Sequence, residues 1–194
     1  MQNTKIKMIF LAITILAVLS VIVSCSRDDE KDTVTSFLKI IYEVNDYENY
    51  EKSVDVRNRI IKEKMKDSDL YEIMQFSDEE AQEIYVQYID KYAPFVTKKG
   101  MDNLFALGLV TYMDDLAYKN DMYTKVEKIE LNETEEHEYK YTVKLKFIKD
   151  DVEAEGECTG IVGMAQDEDD HYKVNFIKIT DSKPINEMLK KINN

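Results

Sequence analysis

Residues that cross-link or interrupt a fold are scarce in this chain. Its 194 residues include two cysteines, two prolines, five glycines and no tryptophan. With so few cysteines, the fold cannot depend on a framework of disulfides. Its stability must come from a hydrophobic core, and 13 tyrosines and 7 phenylalanines within a 44% hydrophobic composition can supply one.

Basic residues are in the minority. The chain has 26 lysines and arginines against 39 aspartates and glutamates, which gives a formal charge of −13. Without Lys5 and Lys7, which precede the apolar N-terminal segment, the formal charge is −15. Such an acidic surface, without basic patches, repels nucleic acid and anionic lipid headgroups. We therefore expect no nucleic-acid partner.

Motifs that carry catalysis or bind metal are missing from the sequence. There is no glycine-rich phosphate loop, no nucleophile elbow and no cluster of metal ligands. His137 and His171 lie in predicted hairpin loops without a third histidine nearby, so they are expected to be solvent-exposed. The acidic run 167–170 lacks the ligand spacing of a calcium loop. Cys158 is expected to be a small core residue, because its acidic neighbours disfavour a thiolate. We expect no metal, no other cofactor and no catalysis.

The N-terminal segment has the parts of an export signal. Lys5 and Lys7 precede an apolar run of 16 residues from Met8 to Val23, and a polar stretch follows Cys25. A basic start, an apolar centre and small residues before a break are typical of a secretory signal peptide. The run is shorter than the roughly 20 residues needed to cross a bilayer, which argues against a permanent membrane helix.

The end of this segment, Ile22, Val23, Ser24 and Cys25, resembles the lipobox of bacterial lipoproteins. In that family the cysteine receives a diacylglyceryl group, the preceding peptide is removed, and the new amino terminus is often acylated. The resemblance implies a mature chain attached by lipid to the outer face of the cell membrane, since two or three acyl chains make a stable anchor. A plain cleaved signal and an uncleaved membrane helix are the alternatives.

These features divide the chain into three regions. Residues 1–24 are the predicted lipoprotein signal peptide, residues 25–32 the acylated cysteine with a polar tether, and residues 33–194 a single domain. That length is enough for one domain with a substantial core. Once Cys25 is acylated, Cys158 has no disulfide partner within the chain.

Helical periodicity starts directly after the predicted tether. Apolar residues at positions 37, 40, 41 and 44 predict a first helix, which Thr33 or Thr35 could cap. A second helix is expected to turn one face inward, formed by Tyr50, Val54, Arg57, Ile61 and Met65.

Two further helices are predicted from their N-terminal caps. Ser77 and Glu80 have the spacing of a capping box, which opens a third helix that ends at Pro94. Thr97 can cap a fourth helix that runs to about Leu107. An irregular stretch is expected from there to Tyr118.

From Met122 the hydrophobic period changes from 3.6 to 2. This alternation predicts four strands: Lys125–Leu131, Tyr139–Ile148, Val152–Met164 and Tyr172–Thr180. Short polar connections between them predict an antiparallel meander. The inward side of the third strand has small residues, which indicates a strong bend or close packing by a helix. A short last helix with the apolar stripe Ile185, Met188, Leu189 and Ile192 is expected to dock on its own domain.

Helices followed by consecutive strands predict an α+β domain. The segment Tyr92–Thr180 has Tyr-Ala-Pro-Phe-Val-Thr-Lys-Lys-Gly-Met before a helix and Tyr-Thr-Lys-Val-Glu-Lys-Ile-Glu-Leu at the start of the sheet. This layout resembles the nuclear-transport-factor-2-like (NTF2-like) superfamily, and in particular small lipoproteins of that type in Gram-positive bacteria. The resemblance implies N-terminal helices packed on a curved four-stranded antiparallel sheet that forms a cone, with a short C-terminal helix.

The lipid anchor and the missing catalytic motifs favour an extracytoplasmic binding or assembly module that contacts a protein or a small ligand. The alternative is a ketosteroid-isomerase-like or cyclase-like enzyme that uses the cone pocket. A buried acid or histidine paired with a tyrosine in an open cone would favour the enzyme, whereas a filled cone would favour the binding module. The substrate-binding lipoprotein of a transporter is disfavoured, because one domain lacks the two lobes needed for hinge closure.

Overall fold

The computed structural model describes residues 29–65 and 76–193 of the chain. Within these ranges there are six helices: residues 29–42 (α1), Glu48–Lys64 (α2), Asp78–Tyr92 (α3), Lys98–Ala106 (α4), Tyr112–Asn120 (α5) and Lys183–Ile192 (α6). The strands are Tyr123–Glu135 (β1), Glu138–Lys149 (β2), Val152–Gln166 (β3) and Tyr172–Asp181 (β4). Five helices precede the strands and one follows them, which confirms the predicted α+β class and the short C-terminal helix.

The four strands form one curved antiparallel sheet in the order β1-β2-β3-β4. All four predicted strands are present, and β1 and β3 extend beyond their predicted ends. The alternation along β2 places five apolar side chains on one face, all of them fully buried: Tyr139, Tyr141, Val143, Leu145 and Phe147. This face is the floor of the hydrophobic core.

The opposite face of the sheet is polar and carries a network of ion pairs. Lys144 lies 3.3 Å from Glu127 on β1 and 3.1 Å from Glu155 on β3, measured between the ammonium nitrogen and a carboxylate oxygen. Lys146 makes the corresponding contacts with Glu127 at 3.3 Å and with Glu153 at 3.0 Å. Exposed pairs of this kind contribute little to stability, but they keep this face soluble.

The first helix is longer than predicted. Residues 29–32, predicted as part of the tether, are helical, and Thr33 lies inside α1 rather than at its N-cap. The Thr33 hydroxyl donates a 2.9 Å hydrogen bond to the carbonyl of Asp29. This turn is stabilised by tertiary packing, because Glu30 is only 2% exposed. The predicted tether is therefore wrong at residues 29–32, which belong to the domain.

Along α1, apolar residues at helical spacing enter the core. The buried apolar residues of this helix are Val34, Phe37, Leu38, Ile41 and Tyr42. The helix is followed by a backbone bridge in which Val44 and Thr124 exchange hydrogen bonds of 3.0 Å. This bridge joins the end of the helix to the start of β1.

The predicted caps of α3 and α4 are confirmed. The Ser77 hydroxyl accepts a hydrogen bond from the Glu80 amide, and the Glu80 carboxylate accepts one of 2.8 Å from the Ser77 amide. The Thr97 hydroxyl accepts a 3.0 Å hydrogen bond from the Gly100 amide. Local hydrogen bonding thus determines where both helices begin.

The helix α5 replaces the irregular stretch that was expected there. Its N-cap residue, Thr111, makes no side-chain hydrogen bond, and its buried apolar side chains are Met113 and Ala117. Such a short and weakly amphipathic segment has little local signal, and its packing in the domain decides its conformation.

The buried face of α2 also differs from the prediction. The helix buries Tyr50, Ser53 and Ile60, whereas Met65 is 65% exposed. Ser53 can be buried because its hydroxyl donates a 2.7 Å hydrogen bond to the carbonyl of Tyr50. Apolar periodicity does not predict a buried helix face that includes a serine, even when the serine hydroxyl is hydrogen-bonded within the helix.

The last helix docks on its own domain, as predicted. Ile185, Met188 and Ile192 are buried, and α6 packs mainly against β3. Gly156 on β3 lies directly below Met188, and a Cβ atom there would come within 3.0 Å of the Met188 sulfur. The small residues of β3 therefore make room for this helix.

Candidate functional site

The helix-covered face of the sheet, where the family resemblance implies a cone pocket, is filled by side chains. Cys158 on β3 is fully buried there, and the hydroxyls of Tyr42 and Tyr141 are 3.0 Å apart inside the core. Burial raises the pKa of Cys158 to about 12 and that of Tyr141 to about 12. Both groups are neutral at physiological pH, and Cys158 is the core residue that the sequence predicts.

A groove opens instead on the outside of the domain, between α4 and β4. The helix α4 ends in a Schellman motif, in which the Leu109 amide donates to the Leu104 carbonyl and the Gly108 amide to the Phe105 carbonyl. Gly108 has φ = +66°, a conformation that costs glycine little and other residues more. This turn directs the chain from the end of α4 along the side of β4.

The groove is predominantly apolar and has a volume of about 430 Å³. Its walls are Leu107 and Leu109 from the turn, Phe176, Ile177 and Ile179 from β4, and the polar residues Asn103 and Lys178. Leu107 is 51% exposed, whereas Leu109 and Ile177 are buried and form the floor. The groove can therefore accept apolar side chains from another molecule.

The backbone of β4 borders this groove and is only partly covered. At its start, Val174 donates to the carbonyl of Phe95 and accepts from the amide of Thr97, both at 2.9 Å. Farther along, the Ile177 amide donates a 3.0 Å hydrogen bond to the side-chain oxygen of Asn103. Within residues 29–65 and 76–193, no strand pairs with the outer side of β4 after this point.

An open strand edge next to an apolar groove can bind an extended polypeptide. Backbone amides and carbonyls of the edge supply hydrogen bonds, and alternate side chains of the added strand enter the groove. Backbone groups can also bind small ligands, but a strand edge beside an apolar wall matches the regular spacing of an extended polypeptide. The arrangement therefore favours a protein partner.

A second candidate site lies at the N-terminal end of α1, around the buried carboxylate of Glu30. One oxygen of Glu30 is 3.0 Å from Nδ1 of His137, and the other accepts a 2.9 Å hydrogen bond from the hydroxyl of Tyr139. The ring of His137 stacks on that of Tyr172, with 4.1 Å between centroids. These contacts fasten the first turn of α1 to two hairpins of the sheet.

A cavity of about 390 Å³, lined mainly by polar and charged residues, adjoins this cluster. It lies between the first turn of α1, Pro94 and the turn that precedes β4, where Lys173 contacts Asp167 at 2.7 Å. The cavity has room for a small polar molecule. The two oxygens of Glu30 already contact His137 and Tyr139. The carboxylate therefore serves first to hold α1 against the sheet.

The two histidines differ from each other. His171 is exposed, as predicted, but the side chain of His137 is 31% exposed and is held by Glu30, so the prediction of solvent exposure is wrong for His137. Residues 167–170 form the turn before β4, and among the described residues no group of acidic, histidine or cysteine side chains converges as metal ligands would.

The predicted lipidation site lies outside the described residues. This holds for Cys25 and for the preceding Ile22, Val23 and Ser24, so lipid attachment stays a prediction from the sequence. In the part of the chain that is described, no helix has the length and apolarity needed to cross a membrane.

Sequence reasoning did not identify Glu30, Asn103 or the groove. Glu30 is one of several acids in a charged stretch, and its partners are more than one hundred residues away in the chain. The apolar spacing of Phe176 and Ile179 does fall within a predicted strand, but a strand pattern does not show which strand lies at an edge. Leu107 next to Gly108, directly after a helix, is the one local signal that could have indicated an exposed apolar turn.

No protein-family model, curated protein or solved structure matches this chain.

Proposed function

We propose that the protein is a lipid-anchored extracytoplasmic binding or assembly module that is attached through Cys25 and binds a polypeptide along β4. The groove beside the open edge of β4 is the observation that carries this proposal. The filled helix-covered face supports it too, because the space where an NTF2-like enzyme would hold its substrate is occupied by core side chains.

The groove can be tested by photo-cross-linking in intact cells. A benzophenone amino acid at position 107 places the probe on the exposed wall of the groove, and the same probe at Val86, an exposed position on α3, is the matched control. We expect a discrete protein adduct from position 107 that is absent from position 86. The adduct should disappear when Ile179→Asp puts a charge into the groove. Identical adducts at the two positions would contradict the proposal.

The anchor can be tested separately. Cys25→Ala removes the thiol that would carry the diacylglyceryl group, so the variant should lose both labelling by a radioactive fatty acid and retention in the membrane fraction. Cys158→Ala is the control, because Cys158 is buried in the core and should not affect labelling. Equal labelling of the wild type and the Cys25→Ala variant would contradict lipid attachment.

One observation favours the enzyme as a second candidate. A buried carboxylate, Glu30, is hydrogen-bonded to the tyrosine hydroxyl of Tyr139 beside a cavity, and acid–tyrosine pairs occur in isomerases. Isomerisation of a 5-ene-3-ketosteroid, followed by its conjugated absorbance, tests this reading. Turnover that Glu30→Gln abolishes and Cys158→Ala preserves would favour the enzyme over the binding module.

A further inference from the structure

The free part of the β4 edge begins at a defined residue. The Ile177 amide points away from β3, because it donates its hydrogen bond to the side chain of Asn103 on α4, 3.0 Å away. Residues two apart on a strand turn their backbone groups to the same side, so the amide and carbonyl of Ile179 face the same edge. Among the described residues no other hydrogen bond from outside the sheet reaches this stretch. The Ile177 carbonyl and both backbone groups of Ile179 are therefore left for an added strand.

The two faces of this edge offer different side chains to such a strand. On the helix side, Ile177 is buried and Ile179 packs against the core, next to the apolar walls of the groove. Because side chains alternate along a strand, Phe176, Lys178 and Thr180 lie on the opposite, polar face of the sheet. An added strand would thus meet apolar side chains on one face and these three residues on the other.

The two residues that flank Lys178 on the polar face are fixed on β3. The ring of Phe176 lies over Gly163, where a Cβ atom would come within 2.0 Å of a ring carbon. The hydroxyl of Thr180 is 3.0 Å from that of Thr159. Both contacts direct these side chains toward the interior of the sheet, away from its edge.

Lys178 itself has no counter-charge on the sheet. In the strand register its neighbour on β3 is Ile161, an apolar residue. Lys144 and Lys146, on the same face of β2, each contact carboxylates on both neighbouring strands. Lys178 is exposed and forms no ion pair with any described residue. A carboxylate on a strand added outside β4 would complete for Lys178 the pattern that exists around Lys144.

We propose that the partner segment at β4 is an extended strand that carries a carboxylate opposite Lys178, between two apolar residues. The apolar side chains face α4 and enter the groove, and the carboxylate pairs with Lys178 on the other face. This inference rests on the proposed function and adds the chemistry of the partner. The protein has a net charge of −13, so its long-range field favours basic ligands. A preference for an acidic segment would therefore indicate the local contact with Lys178.

Two pentapeptides with acetylated and amidated ends test this inference: Thr-Val-Glu-Val-Thr and Thr-Val-Lys-Val-Thr. Each is titrated into the full chain in micelles of a nonionic detergent at low salt, and the NMR shifts of the Ile177 and Ile179 amides report binding. The wild type should bind the glutamate peptide about threefold more tightly than the lysine peptide, as expected for one exposed cross-strand ion pair. Lys178→Glu should reverse this preference.

Lys125→Glu is the matched control, because it changes the net charge by the same amount at an exposed position on the other edge strand, β1. This variant should keep the preference for the glutamate peptide. Equal binding of the two peptides to the wild type, tighter binding of the lysine peptide, or binding of neither would overturn the inference. A reversal caused by Lys125→Glu would overturn it too. The adduct from position 107 is measured independently, so the proposed function can stand where this inference fails.

Discussion

The edge strands of the sheet, β1 and β4, are each bridged near their start by chain from the helical layer. Along the rest of their length the two strands differ in chemistry. At the start of β1, Thr124 bridges to Val44, and near the start of β4, Val174 bridges to Val96. In both cases, chain from the helical layer protects the first part of an edge strand. Neither bridge extends along the whole strand.

Beyond the bridges, charged side chains dominate the exposed surface of β1, whereas β4 mixes apolar and polar residues, and its apolar ones line the groove. The exposed side chains along β1 include Glu127, Lys128, Glu130, Glu133 and Glu135. Charges on an edge strand oppose pairing with other chains. The corresponding part of β4 lines an apolar groove and has one charged side chain there, Lys178. The comparison indicates that pairing is opposed at β1 and permitted at β4.

The largest loss of stability is expected from removing α6, which packs mainly on the central strands β3 and β2. Truncation after Ser182 removes α6 from the middle of the sheet and exposes the partners of three buried side chains. At about 2 kcal/mol each, this loss is about 6 kcal/mol, which is a large share of a domain's stability. Thermal denaturation should show a clear fall in the melting temperature. An unchanged melting temperature would mean that α6 is not part of the core.

Apolar truncations compare the two edges directly. Ile177 on β4 is 2% exposed, whereas Ile129 on β1 is only partly buried. Ile177→Ala should lower the free energy of unfolding by about 3 kcal/mol and Ile129→Ala by about 1 kcal/mol. Urea denaturation measures both values. Equal losses would show that the β4 edge is no better packed than the β1 edge.

Two carboxylates in different parts of the domain, Asp114 on α5 and Glu127 on β1, should respond to pH with opposite signs. Burial raises the pKa of Asp114 to about 6, so the stability gained by protonating it is present at acidic pH and is lost as the pH rises from about 4 to about 6. The pKa of Glu127 on β1 is lowered by hydrogen bonds from Lys144 and Lys146, so its contribution is lost as the pH falls.

Asp114→Asn should therefore stabilise the domain at about pH 7, by about 2 kcal/mol, and the gain should vanish near about pH 4. Glu127→Gln should have no stabilising effect at either pH. Denaturation of each variant over this pH range measures both effects. A pH-independent effect of Asp114→Asn would show that Asp114 titrates normally.

The smallest effects concern the turns next to each edge. Gly108 precedes the β4 groove with φ = +66°, and Asp121 precedes β1 with φ = +51°. Gly108→Ala should cost about 1 kcal/mol, because a Cβ atom disfavours this conformation. Asp121→Gly should be neutral or slightly stabilising for the same reason. Chemical denaturation of both variants checks this, and a loss from Asp121→Gly would show that its side chain has a structural role.

Local patterns in the sequence were enough to predict much of the fold. The caps at Ser77 and Thr97, the alternation along β2 and the apolar stripe of α6 depend on neighbours a few residues away. These are contacts that periodicity and capping describe directly. The lipobox at Cys25 is also a local pattern, and it stays a prediction.

Tertiary structure decided the features that rest on distant contacts. Glu30 extends α1 because Tyr139 and His137 bind its carboxylate, and α5 forms because Met113 and Ala117 find a place in the core. The groove and the buried Asp114 depend on which strand lies at the edge and which helix covers it. A sequence pattern specifies which residues share a face, but the free energy of burying that face depends on partners that only the folded chain brings together.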